Sequence, residues 1–165
     1  MSIFRRVNMA KNKDIRLVLD NIRSVHNVGS IFRTAETVGV TKIYCLGTTP
    51  VPVDRFNRKR KDFAKVSLGA EDLIVWKYFK FGQTFINELK KEGFKIVALE
   101  QAENSINYKK IKATDKFILI IGNEIGGISK SLLNLSDIVA EIPMKGEKES
   151  LNVSVATGVM LFQIS

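Results

Sequence analysis

The chain has a single cysteine, Cys45, and a single histidine, His26. One cysteine excludes a disulfide framework within the chain. One cysteine with one histidine cannot build a structural zinc site, and no metal is expected. No apolar run approaches the ~20 residues of a membrane-spanning helix. The opening MSIFRRVNMAKNKD is charged and has no apolar central region, so it does not read as a secretory signal. A soluble, cytoplasmic protein without a membrane partner is the expectation. Neither G-x-G-x-x-G nor a Walker pattern occurs, so dinucleotide- and NTP-binding readings lack their fingerprint. Wholesale disorder is excluded by a hydrophobic content of 45%. A length of 165 residues suits one domain, 1–165, with 1–13 as a basic N-terminal tail.

Acidic residues are also in short supply, 17 against 26 Lys+Arg, which leaves a net charge of +9. The excess is local. Residues 1–16 hold Arg5, Arg6, Lys11, Lys13 and Arg16 against Asp14. Residues 55–65 hold Arg55, Arg58, Lys59, Arg60, Lys61 and Lys65 against Asp62. These two segments account for the whole net charge. Two basic segments on a neutral body read as a footprint for a polyanion, nucleic acid above all. A lysine-rich solvated face is the plainer alternative.

Hydrophobic periodicity alternates along the chain. Asp14–Asp20, Lys42–Leu46, Lys95–Leu99 and Phe117–Ile121 are short, nearly continuous apolar runs, the pattern of strands buried on both faces. Leu73–Phe79 is also strand-prone, and Ile138–Ile142 is a strand stopped by Pro143. Helical spacing appears over Asn27–Gly39, Thr84–Lys91, Ser129–Leu135 and Asn152–Ile164, with Ser24 or Asn27 as the first cap and Gly39 and Gly93 as stops. Strands alternating with helices predict an α/β fold: a mostly parallel sheet with helices on both faces. Ligands in such sheets bind beyond the carboxyl ends of the strands.

Three clusters fall at those ends. In NIRSVHNVGSIFR (21–33), Arg33 stands on a helix that follows a glycine-bearing loop, where a guanidinium can hold a phosphate or carboxylate through two bonds. In IGNEIGGIS (121–129), three glycines and an asparagine allow unusual dihedrals and a close backbone approach. In IPMKGEKESLNV (142–153), Ser150 and Asn152 lead into the last helix, where either would also serve as an ordinary N-cap. Taken singly, each cluster has a plain structural explanation.

Together, in order and spacing, they resemble the three signature motifs of the SpoU/TrmH family of RNA ribose 2′-O-methyltransferases, within the SPOUT superfamily. Asn27–Gly39 resembles N-x-G-[AS]-I-x-R-T-A-x-x-x-G, with Ser30 at the [AS] position. Gly122–Ser129 resembles G-N-E-x-x-G-[LI]-S, and Ile142–Ala156 resembles I-P-M-x-G-x-x-x-S-L-N-V-S-x-A. Lys65–Phe79 is similar to the family's middle region. The resemblance runs from residue 14 onward and implies a C-terminal trefoil knot, which general topology rules would exclude. It implies S-adenosyl-L-methionine as cofactor, held near Leu99, Gly122, Ile142 and Leu151.

The implied acceptor is a ribose 2′-hydroxyl of RNA, tRNA in the first place, with rRNA or a non-catalytic RNA-binding protein of the same fold as alternatives. The resemblance gives Arg33 the central catalytic role. Arginine is effectively always protonated, so its expected role is to stabilise the developing alkoxide rather than to act as base. Asn27, Asn152, Glu124 and Ser150 are expected around it, Glu124 fixing Asn27 or Arg33. His26 is expected to be a spectator. Family members are homodimers through the C-terminal helix, whose Val153, Val155, Val159, Met160, Leu161 and Phe162 exceed one apolar stripe. The chain is expected to lack the N-terminal RNA-binding domain of many rRNA-modifying relatives. RNA is therefore expected on Arg5, Arg6, Arg55, Arg58, Lys59, Arg60, Lys61 and Lys65.

Overall fold

The computed structural model describes residues 13–112 and 114–165. Arg5 and Arg6, and with them the basic tail up to residue 12, lie outside the described residues.

Seven parallel strands form one sheet. They are β1 (Asp14–Asp20), β2 (Lys42–Leu46), β3 (Val75–Phe79), β4 (Lys95–Leu99), β5 (Ile106–Asn107), β6 (Lys116–Gly122) and β7 (Ile138–Glu141), in the spatial order β3-β2-β1-β6-β4-β7-β5. The helices are α1 (Val25–Val38), α2 (Lys61–Ser67), α3 (Ala70–Leu73), α4 (Gln83–Lys91), α5 (Lys130–Leu135) and α6 (Val153–Ile164). α1 packs against α2, α3 and α6 over one face of the sheet. α4 and α5 cover the other face.

The central strands bury both faces, as their continuous apolar runs require. In β1, Leu17 and Leu19 face α1 while Val18 faces the α4/α5 side, all three at zero exposure. Fully burying one such side chain stabilises by about 1.5–3 kcal/mol, and β6 repeats the pattern through Ile118, Leu119 and Ile120. Strand boundaries differ slightly from expectation. β3 begins at Val75 because Leu73 closes the short α3, and β7 ends at Glu141, one residue before Ile142. The basic segment, read from sequence only as a charge run, turns into α2 from Lys61, which packs on α1 through Phe63 against Phe32 (ring centroids 5.1 Å apart, edge to face). Close approach of these helices requires Gly29, since a Cβ there would stand 2.9 Å from the Cβ of Val66.

Strand order places the site. After β1, β2 and β3 build outward on one side, while β4 lies on the other, with β6 inserted between β1 and β4. Outside the carboxyl ends of strands that part in opposite directions a crevice opens. The crevice-forming ends are in register: Asp20 with Gly122, and Leu99 with Ile121. All three sequence clusters begin or end there.

Candidate active site

α1 starts at an N-cap from Ser24, whose hydroxyl accepts the Asn27 N–H at 3.1 Å, and ends on Gly39 at φ 88°. That cap fixes the first helical turn and sets Asn27 facing the loop after β6. The loop is held by its own polar groups. Asn123 and Gly127 exchange both backbone hydrogen bonds. The Asn123 side-chain oxygen accepts the N–H groups of Ile125 and Gly126, both at 2.9 Å, while its amide nitrogen donates to the Asn21 carbonyl at 2.7 Å. Asp20, only 3% exposed, accepts the Ser129 N–H at 2.8 Å and pins the far end of the loop. Glu100, just past β4, accepts the Ile128 N–H at 2.9 Å and the Gln101 N–H at 3.0 Å.

Gly122 is where this loop turns against itself. A Cβ there would lie 2.4 Å from the Gly127 carbonyl carbon and from the Ile128 nitrogen. The position admits glycine alone because the turn through Asn123–Gly127 brings the backbone of Gly127 and Ile128 back to contact distance.

Three motifs meet at Asn27. Its amide nitrogen donates to Glu124 Oε1 at 2.7 Å, and its amide oxygen accepts from the Asn152 amide nitrogen at 3.2 Å. Asn152 is also the N-cap of α6, with its side-chain oxygen accepting the Ser154 N–H at 2.9 Å. So the capping explanation and the site explanation both hold for Asn152: one end of its side chain serves each. Glu124 reaches Asn27 and not Arg33.

Behind this bridge lies a cavity of about 520 Å³, within the usual range of small-molecule sites. All four positions singled out for a cofactor line it: Leu99, Gly122, Ile142 and Leu151. Glu124, Ser150 and Asn152 line it too. Glu100, Gln101 and Met144 also line it and are not singled out from sequence; the available signals are the position of Glu100 and Gln101 after a strand end and of Met144 within the third motif. Its apolar side is built from Leu99, Ile121, Ile142, Met144 and Leu151. Its ionisable lining residues are Glu100, Glu124 and Glu141, with no lysine or arginine among them.

Arg33 stands apart. It is exposed on α1, six residues beyond Asn27 and about 9 Å along the helix, outside the cavity lining. His26 is exposed beside Asn27. The basic segment is less bare than its sequence suggests. Arg58 pairs with Asp54, Lys59 with Asp72 and Arg60 with Asp62. Among the described residues, Arg55, Lys61 and Lys65 form no ion pair. No helix among the described residues is long and apolar enough to cross a membrane, and no cluster of three or more His, Cys, Asp or Glu side chains among them is placed to hold a metal.

A parallel sheet covered on both faces, with a small-molecule cavity and a convergent polar cluster at its carboxyl edge, defines an α/β protein with a candidate ligand site in the usual place for this architecture. Residues 14–162 match the SpoU rRNA Methylase family, and the chain belongs to that family. It is 31% identical over 159 residues to the tRNA (guanosine(18)-2′-O)-methyltransferase of Aquifex aeolicus (strain VF5), covering 96% of this chain and 72% of that one. To the 23S rRNA (guanosine-2′-O-)-methyltransferase RlmB of Xylella fastidiosa (strain 9a5c) it is 35% identical over 159 residues, covering 95% of this chain and 60% of that one. The crystal structure of an AdoMet-bound rRNA methyltransferase from Sinorhizobium meliloti superposes with a TM-score of 0.81 at 29% identity, over 93% of this chain and 56% of that one. The chain thus spans 56–72% of the length of these relatives.

Proposed function

We propose that this chain transfers a methyl group from S-adenosylmethionine to a ribose 2′-hydroxyl of RNA, with tRNA as the preferred substrate. The observation that carries the reading is the Glu124–Asn27–Asn152 bridge, which joins three distant motifs at the rim of the 520 Å³ cavity. The relatives named for 2′-O-methylation of guanosine support the reaction, and the larger share of the Aquifex tRNA enzyme that is covered supports tRNA. The rRNA reading is the second, supported by the Xylella relative.

The cavity fits the cofactor chemically. Apolar walls suit a purine, and a lining whose charges are all carboxylates suits a cationic sulfonium. When bound, S-adenosylmethionine supplies an electrophilic methyl group, and the protein need only orient it and activate the acceptor. Leu99, Gly122, Ile142 and Leu151 would hold it. Asn27 and Asn152, locked by each other and by Glu124, position the ribose, and Ser150 at the exposed rim contacts a phosphate. The motif match, rather than its position outside the cavity lining, gives Arg33 the role of stabilising the alkoxide that develops as the 2′-hydroxyl attacks, a role that requires only its fixed positive charge. RNA approaches over Arg55, Arg58, Lys59, Arg60, Lys61 and Lys65.

A homodimer belongs to the same reading. Val153, Met160 and Leu161 of α6 are buried, whereas Val155 and Phe162 are exposed (51% and 63%) with half-buried Val159 between them. Spacing of 155, 159 and 162 puts these on one outward helix face that suits a second copy. The C-terminal trefoil knot that the motif resemblance implies belongs to the same reading.

The test is methyl transfer from radiolabelled S-adenosylmethionine to tRNA and to rRNA, followed by alkaline hydrolysis. A 2′-O-methylated ribose blocks cleavage at its own phosphodiester, so label in alkali-resistant dinucleotides is the expected result. Label elsewhere, or none, overturns the reading. Arg33→Ala abolishes transfer and Arg33→Lys restores little, because a lysine lacks the planar fork. Wild-type turnover in Arg33→Ala overturns the role given to that residue.

A further inference from the structure

Phe56 is 61% exposed at the tip of the loop between β2 and α2. The loop is rigidly built. Val53 and Lys59 pair as an antiparallel bridge. Asp54 accepts the N–H groups of Phe56 (2.8 Å) and Arg58 (3.0 Å) on one carboxylate oxygen, and its own N–H donates to the Arg58 carbonyl. Asn57 takes the left-handed conformation, φ 61°, that closes the turn. The guanidinium carbons of Arg55 and Arg58 lie 4.7 and 5.0 Å from the Phe56 ring centroid. Arg58 is held there by Asp54, to which its Nε donates at 2.8 Å. Arg55 makes no ion pair among the described residues.

Among the described residues, no core cluster takes up this aromatic ring, which is presented to solvent on an ordered turn. Aromatic rings layered with guanidinium planes are the surface on which unpaired nucleobases stack, while the charge holds the adjoining phosphates. An apolar protein partner would have to bury the Arg55 charge without compensation, which is costly. Position agrees. The foot of the loop is tied to the end of β1, where the Thr49 hydroxyl donates to the Leu19 carbonyl at 2.9 Å and accepts the Ile22 N–H at 3.1 Å. Its other end enters α2, which packs on α1, the helix of Asn27 and Arg33. The tip therefore rises from the same edge of the sheet as the cavity.

We propose that Phe56, layered with Arg55 and Arg58, is a stacking platform for one unpaired nucleobase of the RNA substrate, beside but separate from the methylated nucleotide. Arg58 stays fixed by Asp54, and Arg55 turns to the phosphate next to that base. The inference rests on the RNA methyltransferase reading and adds to it a preference for unpaired over duplex RNA at this point.

The test uses the whole chain. Phe56→Ala raises the Kd for tRNA roughly 5- to 150-fold, the range for loss of one stacked base, and leaves the Kd for S-adenosylmethionine unchanged. Phe56→Tyr restores affinity. Because Trp76 is the one tryptophan, Phe56→Trp in a Trp76→Phe background gives a single reporter at the tip. Its emission is expected to be quenched by an unstructured oligoribonucleotide and not by a blunt RNA duplex. Unchanged tRNA affinity in Phe56→Ala, or equal quenching by both RNAs, overturns the platform. So does a shift from dimer to monomer in Phe56→Ala, which would make the tip a contact between copies. If the wild-type chain neither binds nor methylates RNA while Phe56 variants fold normally, the methyltransferase reading itself falls.

Discussion

Asn27 and Glu124 are 97 residues apart in the chain, and their side chains meet at 2.7 Å, with the asparagine amide donating to the carboxylate. Asn152 then donates to the oxygen of the same amide. The hydrogen bonds leave the Asn27 side chain a single orientation, because its nitrogen faces an acceptor and its oxygen a donor. The three residues are expected to act as one unit. Glu124→Ala should lower kcat/KM about 10- to 100-fold, the scale of one hydrogen bond to a charged group. Glu124→Gln, which still offers an amide oxygen, should keep most of the activity. The check is a double-mutant cycle of Asn27→Ala and Glu124→Ala on methyl-transfer kinetics. Strictly additive losses would refute the coupled unit, since contacting residues normally show about 0.5–3 kcal/mol of interaction.

Gly122→Ala tests the close backbone approach at the turn after β6. The added methyl would sit 2.4 Å from two backbone atoms of the following loop, neither at the end of a flexible side chain. Relief requires Gly127 and Ile128 to move, and Ile128 is tied to Glu100. Overpacking of this kind typically costs about 1–3 kcal/mol. Here it should also distort the cavity wall. Calorimetry should show loss of S-adenosylmethionine binding together with a lower Tm, whereas Gly146→Ala, with open space around the new methyl, should change neither.

Continuous apolar runs make most strands legible in the sequence, because a strand buried on both faces has no polar side to interrupt it. β1, β2 and β4 match their expected limits, and β6 extends its run by one residue at each end. The caps are equally local: Ser24 and Gly39 bound α1, and Asn152 caps α6. Non-local features are the ones that sequence hides. α2 lies inside a run of lysines and arginines, since its buried side rests on only Phe63 and Ser67. The two-residue β5 has no periodicity to read. The identity of the site residues comes through a motif resemblance, yet the motifs leave the partner of Glu124 open between Asn27 and Arg33, and only the folded chain decides it. Glu100 carries no motif, because its work is to hold a loop 28 residues away. Phe56 has no sequence signal either, as one aromatic among ten phenylalanines.

Cys45 is fully buried in β2, and burial pushes its thiol up to about 12. At pH 8 the thiolate, which is the reactive species, is therefore scarce as well as inaccessible. Native protein should not react with a thiol-specific disulfide reagent at that pH on the timescale of minutes. Unfolding in guanidinium chloride should release one thiol per chain. Rapid stoichiometric labelling of the native protein would contradict the described packing of β2.

Acid should loosen the sheet at β7. Burial alone would raise the Asp137 carboxyl, but the Ile96 N–H donated at 2.8 Å and the Lys90 ammonium at 2.8 Å outweigh it and hold it below its ordinary value. The contact has a structural job: the Asp137 N–H donates in turn to the Ile96 carbonyl, stitching the start of β7 to β4. Asp14 at the start of β1 is depressed likewise, first by the Arg16 guanidinium, against burial and with help from the Thr41 hydroxyl. A carboxyl whose folded pKa lies below its unfolded value stabilises fully above the unfolded pKa, about 3.9 for aspartate, and loses that contribution as pH falls through the folded pKa. Tm should therefore be insensitive to these groups from pH 8 to 5 and should fall below about pH 4. In Asp137→Asn the contribution is already missing at neutral pH, so its Tm should start lower and the gap to wild type should narrow in acid. Thermal unfolding followed across pH 3 to 8 for both proteins decides the matter, and a gap that stays constant over the whole range would show that ionisation of Asp137 contributes nothing to stability.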